Sequence, residues 1–352
     1  MNENAVTTWG NTPQKTGNST KKRGIFDPSI LEHRRELSFS TPTLKAVENI
    51  PFYDLLIPIE NGVKIPVRIY VHPEMRNEQR IPTLFYVPGT GFVAAETKFT
   101  HVTCTHLCSE TKCQVIVINH RLAPEAQFPA GTSDAYNVFK HFAKDAPIRY
   151  SIDREKIAIA GYSSGGNIAA LIAIRAIKEG IYLRKQILIS PIVDLSRSLP
   201  GFKAFENRDT DISDAFVHWV VGLYLPPDEN PKNPAASPFW KNGSELKGLP
   251  STDIIVAEFD RCRSDSEYYI LKLLKEKVPV ERFMAPQEKH SYLWHNMQVT
   301  EKFSERLMIA FSDTPIHKPL PNTLSYIHVV YNELENENEP QSLIPNPAMS
   351  KL

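Results

Sequence analysis

Ser163 stands in Gly161-Tyr162-Ser163-Ser164-Gly165, a G-x-S-x-G pattern. A serine hydroxyl is a weak nucleophile until a neighbouring base takes its proton. The pattern follows the β-branched run Ile157 to Ala160 and opens directly into "NIAALIAIRAIKEG", which reads as a helix. On such a strand–turn–helix junction the serine sits on a sharp, strained turn with its Oγ exposed. Gly161 and Gly165 remove side chains where the two backbones crowd, and Gly166 lets the helix pack closely. The helix N-terminus adds free N–H groups and a positive dipole end. The spacing selects Ser163 as nucleophile, and the backbone N–H of Ser164 becomes one donor to a developing oxyanion. The rival reading is a glycine-rich turn without chemistry, because short motifs match by chance. Placement on a strand of a parallel sheet argues against it.

A base and its orienting acid should then follow in the order Ser, Asp or Glu, His, each just after a late strand. "DIIVAEFD" ends in Asp260, and "VPVERFMAPQEKHSYLW" sets His290 a short loop after the next strand. His290 suits a base reaching back to Ser163, with Asp260 holding its tautomer and orientation. Asp265 and His295 are the fallback acid and base. Each lies further from its strand end. Asp265 also reads as an exposed helix-start carboxylate, and His295 as a helical-face histidine beside Trp294.

"LFYVPGTGFVAA", Leu84 to Ala95, admits two readings. G-T-G-F-V-A fits the G-x-G-x-x-G/A loop that seats a dinucleotide pyrophosphate. It also fits a loop whose N–H groups hold an oxyanion in acyl transfer. A dinucleotide site wants an acidic residue at the end of the following strand. That strand, "VIVIN", ends in Asn119-His120-Arg121. The oxyanion reading therefore stands, with Gly89, Thr90 and Gly91 joining Ser164. Pro88 has no N–H to offer, and β-branched Thr90 resists a positive φ. If Thr90 needs φ > 0, the hole is strained or remodelled.

The elements that must position these groups alternate. "FYDLLIPI" and "KIPVRIYV" could pair as an antiparallel hairpin through "ENGV". "TLFYV", "VIVIN", "IAIAG", "ILIS", "DIIVAEF" and "VPVERFM" follow, most separated by helix-length segments. Apolar strands alternating with helices predict an α/β fold with a mostly parallel sheet covered on both faces. About fifty residues between "ILISPIVDL" and "DIIVAEF" break the rhythm, and insertions of that size usually form lids or binding loops. Residues 1–24 and 314–352 read as largely disordered tails flanking one domain over 25–313. "FDPSILEHRREL" starts a helix, with Asp27 as N-cap and Pro28 at its first position. "LSYIHVVY" in the second tail could add a strand.

Lys plus Arg and Asp plus Glu are both 40, so the formal net charge is zero. Nucleic-acid binders usually show a net basic face, so no nucleic-acid partner is expected. No apolar run approaches the roughly 18 residues of a membrane span. "MNENAVTTWG" has no charged region followed by an apolar one, so a cytoplasmic location is the expectation. Cys104, Cys108 and Cys113 cluster with His101 and His106. Paired zinc-ligand spacing is missing. The i,i+4 spacing of Cys104 and Cys108 reads as a buried helix face beside Leu107.

At this point the chain resembles the hormone-sensitive-lipase-like branch (family IV) of the α/β-hydrolases, which are carboxylesterases. The resemblance runs from about Phe26 to Phe311. "GYSSGGN" resembles the family's GDSAGGN elbow, and "HRLAPEAQFPA" its YRLAPE-x-x-FPA segment. "AEFDRCRSDSEYYILKL" is similar to its acid loop, matching Asp260, and "EKHSYLWH" to its H-G-F loop, matching His290. The sequence departs where the family has H-G-G-G (here Pro88-Gly89-Thr90-Gly91) and where the elbow has Asp (here Tyr162). The resemblance implies an eight-stranded sheet and a helical cap from about 25–45 and 200–240. Cap aromatics Phe202, Phe205, Phe216, Trp219 and Tyr224 could line an apolar pocket or pack the cap itself. It further implies a small-molecule acyl ester as substrate, with short to medium chains, and neither metal nor organic cofactor. A homodimer is allowed. The alternatives are a receptor-like relative that binds a ligand with little or no catalysis, an amidase, or a lipase.

Overall fold

The computed structural model describes residues 28–39, 42–95, 98–199 and 210–312. The segments 1–24 and 314–352, with Asp27, "LSYIHVVY", Phe202 and Phe205, lie outside the described residues. In chain order, helix α1 (Pro28–Phe39) precedes strands β1 (Phe52–Pro58), β2 (Lys64–Val71) and β3 (Ile81–Val87). Helix α2 (Lys98–Thr111), β4 (Gln114–Ile118), α3 (Ala130–Lys140), β5 (Ile152–Tyr162), α4 (Ser164–Lys178) and β6 (Lys185–Ile189) follow. The insert carries α5 (Asp214–Tyr224) and the short α6 (Gly243–Leu246). Then come β7 (Ser251–Phe259), α7 (Arg263–Lys275), β8 (Val280–Lys289) and α8 (Met297–Phe311).

The eight strands form one sheet in the order β1-β2-β4-β3-β5-β6-β7-β8. The hairpin β1–β2 is antiparallel, Leu55 facing Val67, and β2 is antiparallel to β4. Every other pairing is parallel. The middle strands are buried on both faces because "QVIVI" and "KQILI" leave no polar stripe to face water. Alternation sends Phe85, Val87, Ile157 and Ile159 to one core layer and Leu84, Tyr86, Ala158 and Ala160 to the other. Cys104, Leu107 and Cys108 of α2 pack into the second layer with Phe303 and Leu307 of α8. His101 meets the Tyr70 hydroxyl at 3.0 Å and His106 the Lys45 carbonyl at 2.9 Å, so these two histidines turn to other partners.

At the amino ends of β6, β7 and β8 sits a buried ion cluster. Asp253 bridges Lys185 (2.6 Å) and Arg306 (2.7 Å), and Arg306 also reaches Glu281 (2.8 Å). The carboxyl ends of β3, β5, β7 and β8 face the other way. That end of an open α/β sheet is where ligands bind. No helix among the described residues is long and apolar enough to cross a membrane.

Candidate active site

Ser163 is the first residue beyond β5 and immediately precedes α4. Its backbone has φ 54° and ψ −119°. A non-glycine residue in such a region costs of order 1–3 kcal/mol and persists only where its surroundings over-determine it. Here they do. The Ser163 N–H donates to the Ile189 carbonyl (2.9 Å), and its own carbonyl accepts from Asn167 (3.2 Å) and Ile192 (3.3 Å). The turn is tight enough that a Cβ on Gly165 would lie 2.1 Å from the Val87 carbonyl oxygen. Only glycine fits, which is the physical content of the motif.

Asp260 follows β7, and His290 opens a 3-10 turn (His290–Trp294) directly after β8. His290 Nε2 lies 2.8 Å from Ser163 Oγ, and Nδ1 lies 2.9 Å from each Asp260 oxygen. Asp260 Oδ1 also accepts the Cys262 N–H at 2.8 Å. All three side chains are buried. Burial disfavours the imidazolium, but the charge and hydrogen bond of Asp260, with the charge of Asp211, outweigh it and raise His290 above its ordinary value. A Cys262 sulfur, an Asp260 oxygen and a His290 nitrogen lie within 4.8 Å of one another. A cation there would have to displace the proton that joins His290 to Asp260. Burial also pushes the Cys262 thiol well up, away from the thiolate a metal needs.

The fallback residues have other partners. Asp265 Oδ2 accepts the N–H groups of Val193 (2.9 Å) and Asp194 (3.0 Å). Burial and the nearby Asp194 hold its carboxyl well above the usual carboxylate range. Far from being an exposed helix-start carboxylate, it is buried. His295 pairs with Glu288 at 3.0 Å on the surface.

Two contacts on His290 carry no sequence signal. The Tyr162 hydroxyl donates to the His290 carbonyl at 2.6 Å, and its ring lies stacked on the imidazole, centroids 5.3 Å apart. Asp211, from the insert, accepts the N–H groups of His290 (2.8 Å) and Ser291 (2.6 Å). Tyr162 was visible as a departure from the family elbow, but its partner lies 128 residues away.

Gly89, Thr90 and Gly91 follow β3, the strand beside β5. Thr90 N–H donates to Ser164 Oγ at 3.1 Å, and Phe92 N–H to the same oxygen at 3.3 Å. The Thr90 hydroxyl donates to the Ala94 carbonyl. Thr90 takes no positive φ; in this loop Gly91 (64°) and Phe92 (66°) do. Glycine accepts that region freely. Phe92 is held in it by its bond to Ser164 and by its ring, stacked on Tyr224 at 4.0 Å. The loop is thus remodelled one and two residues further on, which leaves Thr90 unstrained.

A cleft opens over Ser163, lined by His33 of α1, Ile192, Ile212, and Phe216, Val217 and Val220 of α5. Arg34 clamps α1 down. It donates to the Val93 (2.7 Å) and Ala123 (3.0 Å) carbonyls and grips Glu125 with two nitrogens. His33 lies among Phe216 and Trp219, with centroids 5.2 and 5.5 Å away. Burial, with the Arg34 charge, lowers its pKa to about 4. It therefore presents a neutral imidazole to the cleft at pH 7. Of the insert's described aromatics, Phe216 faces the cleft, whereas Tyr224 packs inward.

A family model described as alpha/beta hydrolase fold matches residues 84–294. A carboxylesterase of Mycobacterium tuberculosis is 32% identical over 261 residues, 72% of this chain and 76% of its own. A gibberellin receptor of Arabidopsis thaliana is 28% identical over 307 residues, 80% of this chain and 81% of its own. Among solved structures, an esterase of the archaeon Pyrobaculum calidifontis aligns with a TM-score of 0.68 at 26% identity, covering 81% of this chain and 92% of that one.

Proposed function

The chain belongs to the α/β-hydrolase family, in its hormone-sensitive-lipase-like branch, and from that premise we propose that it is a serine carboxylesterase acting through an acyl-enzyme. Ser163 Oγ attacks the ester carbonyl while His290 Nε2 takes its proton. Asp260 fixes the Nδ1–H tautomer and stabilises the imidazolium. The tetrahedral oxyanion is held by backbone N–H groups of Ser164 and of the Gly89–Gly91 loop. Collapse expels the alcohol, which receives the proton from His290. Water, deprotonated by the same base, then hydrolyses the acyl-serine. Every proton in this cycle moves between Ser163, His290, water and the leaving group, so the chain's own residues suffice.

The observation that carries the reading is the buried hydrogen-bond chain Ser163–His290–Asp260 beneath an apolar cleft. α1 and α5 act as a cap in this scheme, and the family membership, not the cap side chains, suggests short to medium acyl chains. A cytoplasmic location belongs to the same proposal, which leaves a homodimer open. The test is fluorophosphonate labelling together with hydrolysis of p-nitrophenyl esters of increasing chain length, on wild type and Ser163→Ala. Labelling and turnover that vanish in Ser163→Ala support the assignment. Turnover persisting near wild type in that variant means another nucleophile acts.

One observation favours a second reading, a ligand-binding protein with weak catalysis. Thr90 N–H, a proposed oxyanion donor, is already engaged by the Ser164 hydroxyl. A wild-type protein that neither labels nor turns over esters, yet binds a small acid or ester in calorimetry, would establish that reading instead.

A further inference from the structure

His290 begins its turn at the end of β8, the last strand of the sheet, which has a neighbour on one side only among the described residues. The first N–H groups of a helical turn have no partner within it. Lys289, the residue before this turn, makes no side-chain cap. The missing acceptor comes from elsewhere in the chain. Asp211 spans the two N–H groups with one oxygen each, at 2.8 Å to His290 and 2.6 Å to Ser291. A carboxylate is favoured at the N-terminal end of such a turn, and charge-assisted hydrogen bonds of this length are among the stronger ones.

Asp211 also sits where the insert meets the cleft. Ile212 lines the cleft, and its carbonyl accepts from Arg261 at 3.4 Å. Ser213 caps α5 through Phe216 N–H at 3.0 Å. Phe216, Val217 and Val220 then cover Ser163. One short stretch of the insert therefore both shapes the substrate cleft and grips the backbone of the proposed base.

We propose that Asp211 is a positioning residue for His290: it locks the base's turn to the insert and sets a second carboxylate beside the imidazolium. This deepens the esterase reading and rests on it. Asp260 holds the imidazole from Nδ1, Tyr162 holds its carbonyl, and Asp211 holds its N–H. Among the described residues, the groups facing the imidazole are few. Asp260 and Asp211 are the carboxylates. Tyr162, Tyr292 and Cys262 stay neutral because burial raises each of them, and His33 across the cleft is neutral too. Arg261 is the neighbouring cation on the acid loop, turned toward Ile212.

The test compares wild type with Asp211→Asn, Asp211→Ala and Asp211→Glu. Asp214→Asn on the same segment, a carboxylate paired with Arg197, serves as control. Removing an anion near an imidazolium lowers its pKa. The acid limb of kcat/KM should therefore move to lower pH by about half a unit or more in Asp211→Asn and Asp211→Ala. The kcat of Asp211→Ala should fall about tenfold or more, since lost orientation of a base costs far more than its distance from the chemistry suggests. Asp211→Glu should recover part of both, and Asp214→Asn should leave both unchanged. NMR titration of the His290 ring in wild type and Asp211→Asn reads the same shift without any turnover. It therefore separates failure of this proposal from failure of the esterase reading. A His290 titration that does not move in Asp211→Asn, or an Asp211→Ala enzyme with wild-type kcat and pH profile, overturns the proposal.

Discussion

Replacing Ser164 by alanine should separate two jobs that its hydroxyl performs. In the free protein Ser164 Oγ accepts the N–H of Thr90 at 3.1 Å and of Phe92 at 3.3 Å. Phe92 is buried, so without this oxygen its N–H has no acceptor, which costs roughly 1–3 kcal/mol. Thr90 faces the cleft. To serve the oxyanion, its N–H must leave Ser164 Oγ in the transition state. Breaking an ordinary hydrogen bond costs about 0.5–1.5 kcal/mol net, so the resident hydroxyl holds catalysis back by that amount. Ser164→Ala should thus lower the unfolding free energy by about 1–3 kcal/mol in urea melts. It should also raise kcat/KM for a p-nitrophenyl ester by about two- to tenfold, the rate equivalent of 0.5–1.4 kcal/mol. The refuting result is a tenfold or greater fall in kcat/KM at temperatures where the variant remains folded. The hydroxyl would then be building the oxyanion loop and not competing with the substrate.

Three further outcomes follow from the same coordinates. His290 is raised above 6.5, and a base must be neutral to act, so kcat/KM should climb through an acid limb centred above pH 6.5. The same upward shift means the imidazolium–Asp260 pair stabilises the fold fully below about pH 6.5. That increment fades as pH rises through the folded-state pKa, so a limb centred below 6.5 would contradict the geometry. A Cβ at Gly89 would lie 2.0 Å from the Tyr162 carbonyl oxygen and 2.9 Å from Ser163 Cβ. Gly89→Ala should therefore push the loop off the elbow and cost about 10²- to 10³-fold in kcat, the value of one oxyanion donor; near-wild-type turnover would place the oxyanion elsewhere. Asp253→Ala strips buried Lys185 of its carboxylate and leaves Arg306 with Glu281 alone of its two, at the far end of the sheet, and should destabilise by about 3–5 kcal/mol, read by denaturant melts, while kcat of the folded fraction is retained.

Much of this molecule is readable in its residues, for reasons that are local. The strands announce themselves because a parallel sheet buries both faces and so needs unbroken apolar runs such as "QVIVI". The elbow is readable because glycines must stand where backbones touch, as Gly165 does against Val87. Ser163 and Asp260 could be picked out because each follows a strand directly, and His290 because it follows one closely; the structure extends β8 to Lys289 and brings the three within hydrogen-bond reach. What was not readable depends on contacts between distant positions. Asp211 meets His290 across 79 residues and Arg34 meets Glu125 across 91. No periodicity records such pairs. The loop after β3 was only partly readable, for a different reason. The sequence showed that Thr90 resists a positive φ, but not that the chain could shift the strain to Phe92, where stacking on Tyr224 holds it.

The distribution of these contacts says which part of the site needs most support. Ser163 follows β5 and Asp260 follows β7, both interior strands with neighbours on each side. Their positions are set by the sheet itself. His290 follows β8, which is an edge strand among the described residues and whose last paired residue is Lys289. A sheet edge lacks the second ladder that would hold its end in place, so local opening is cheapest there. Around that residue the chain gathers Asp260 on the ring, Tyr162 on the carbonyl and Asp211 on the N–H. Interior strands need no such clamp, because β6 beside β5 and the loop after β6 already hold the Ser163 backbone through Ile189 and Ile192. Placement of the proposed base, more than activation of Ser163, is therefore where substitutions far from Ser163 should act. Those at Asp211 reach it by the shortest route, because the short segment that carries it also supplies Ile212 and Phe216 to the cleft.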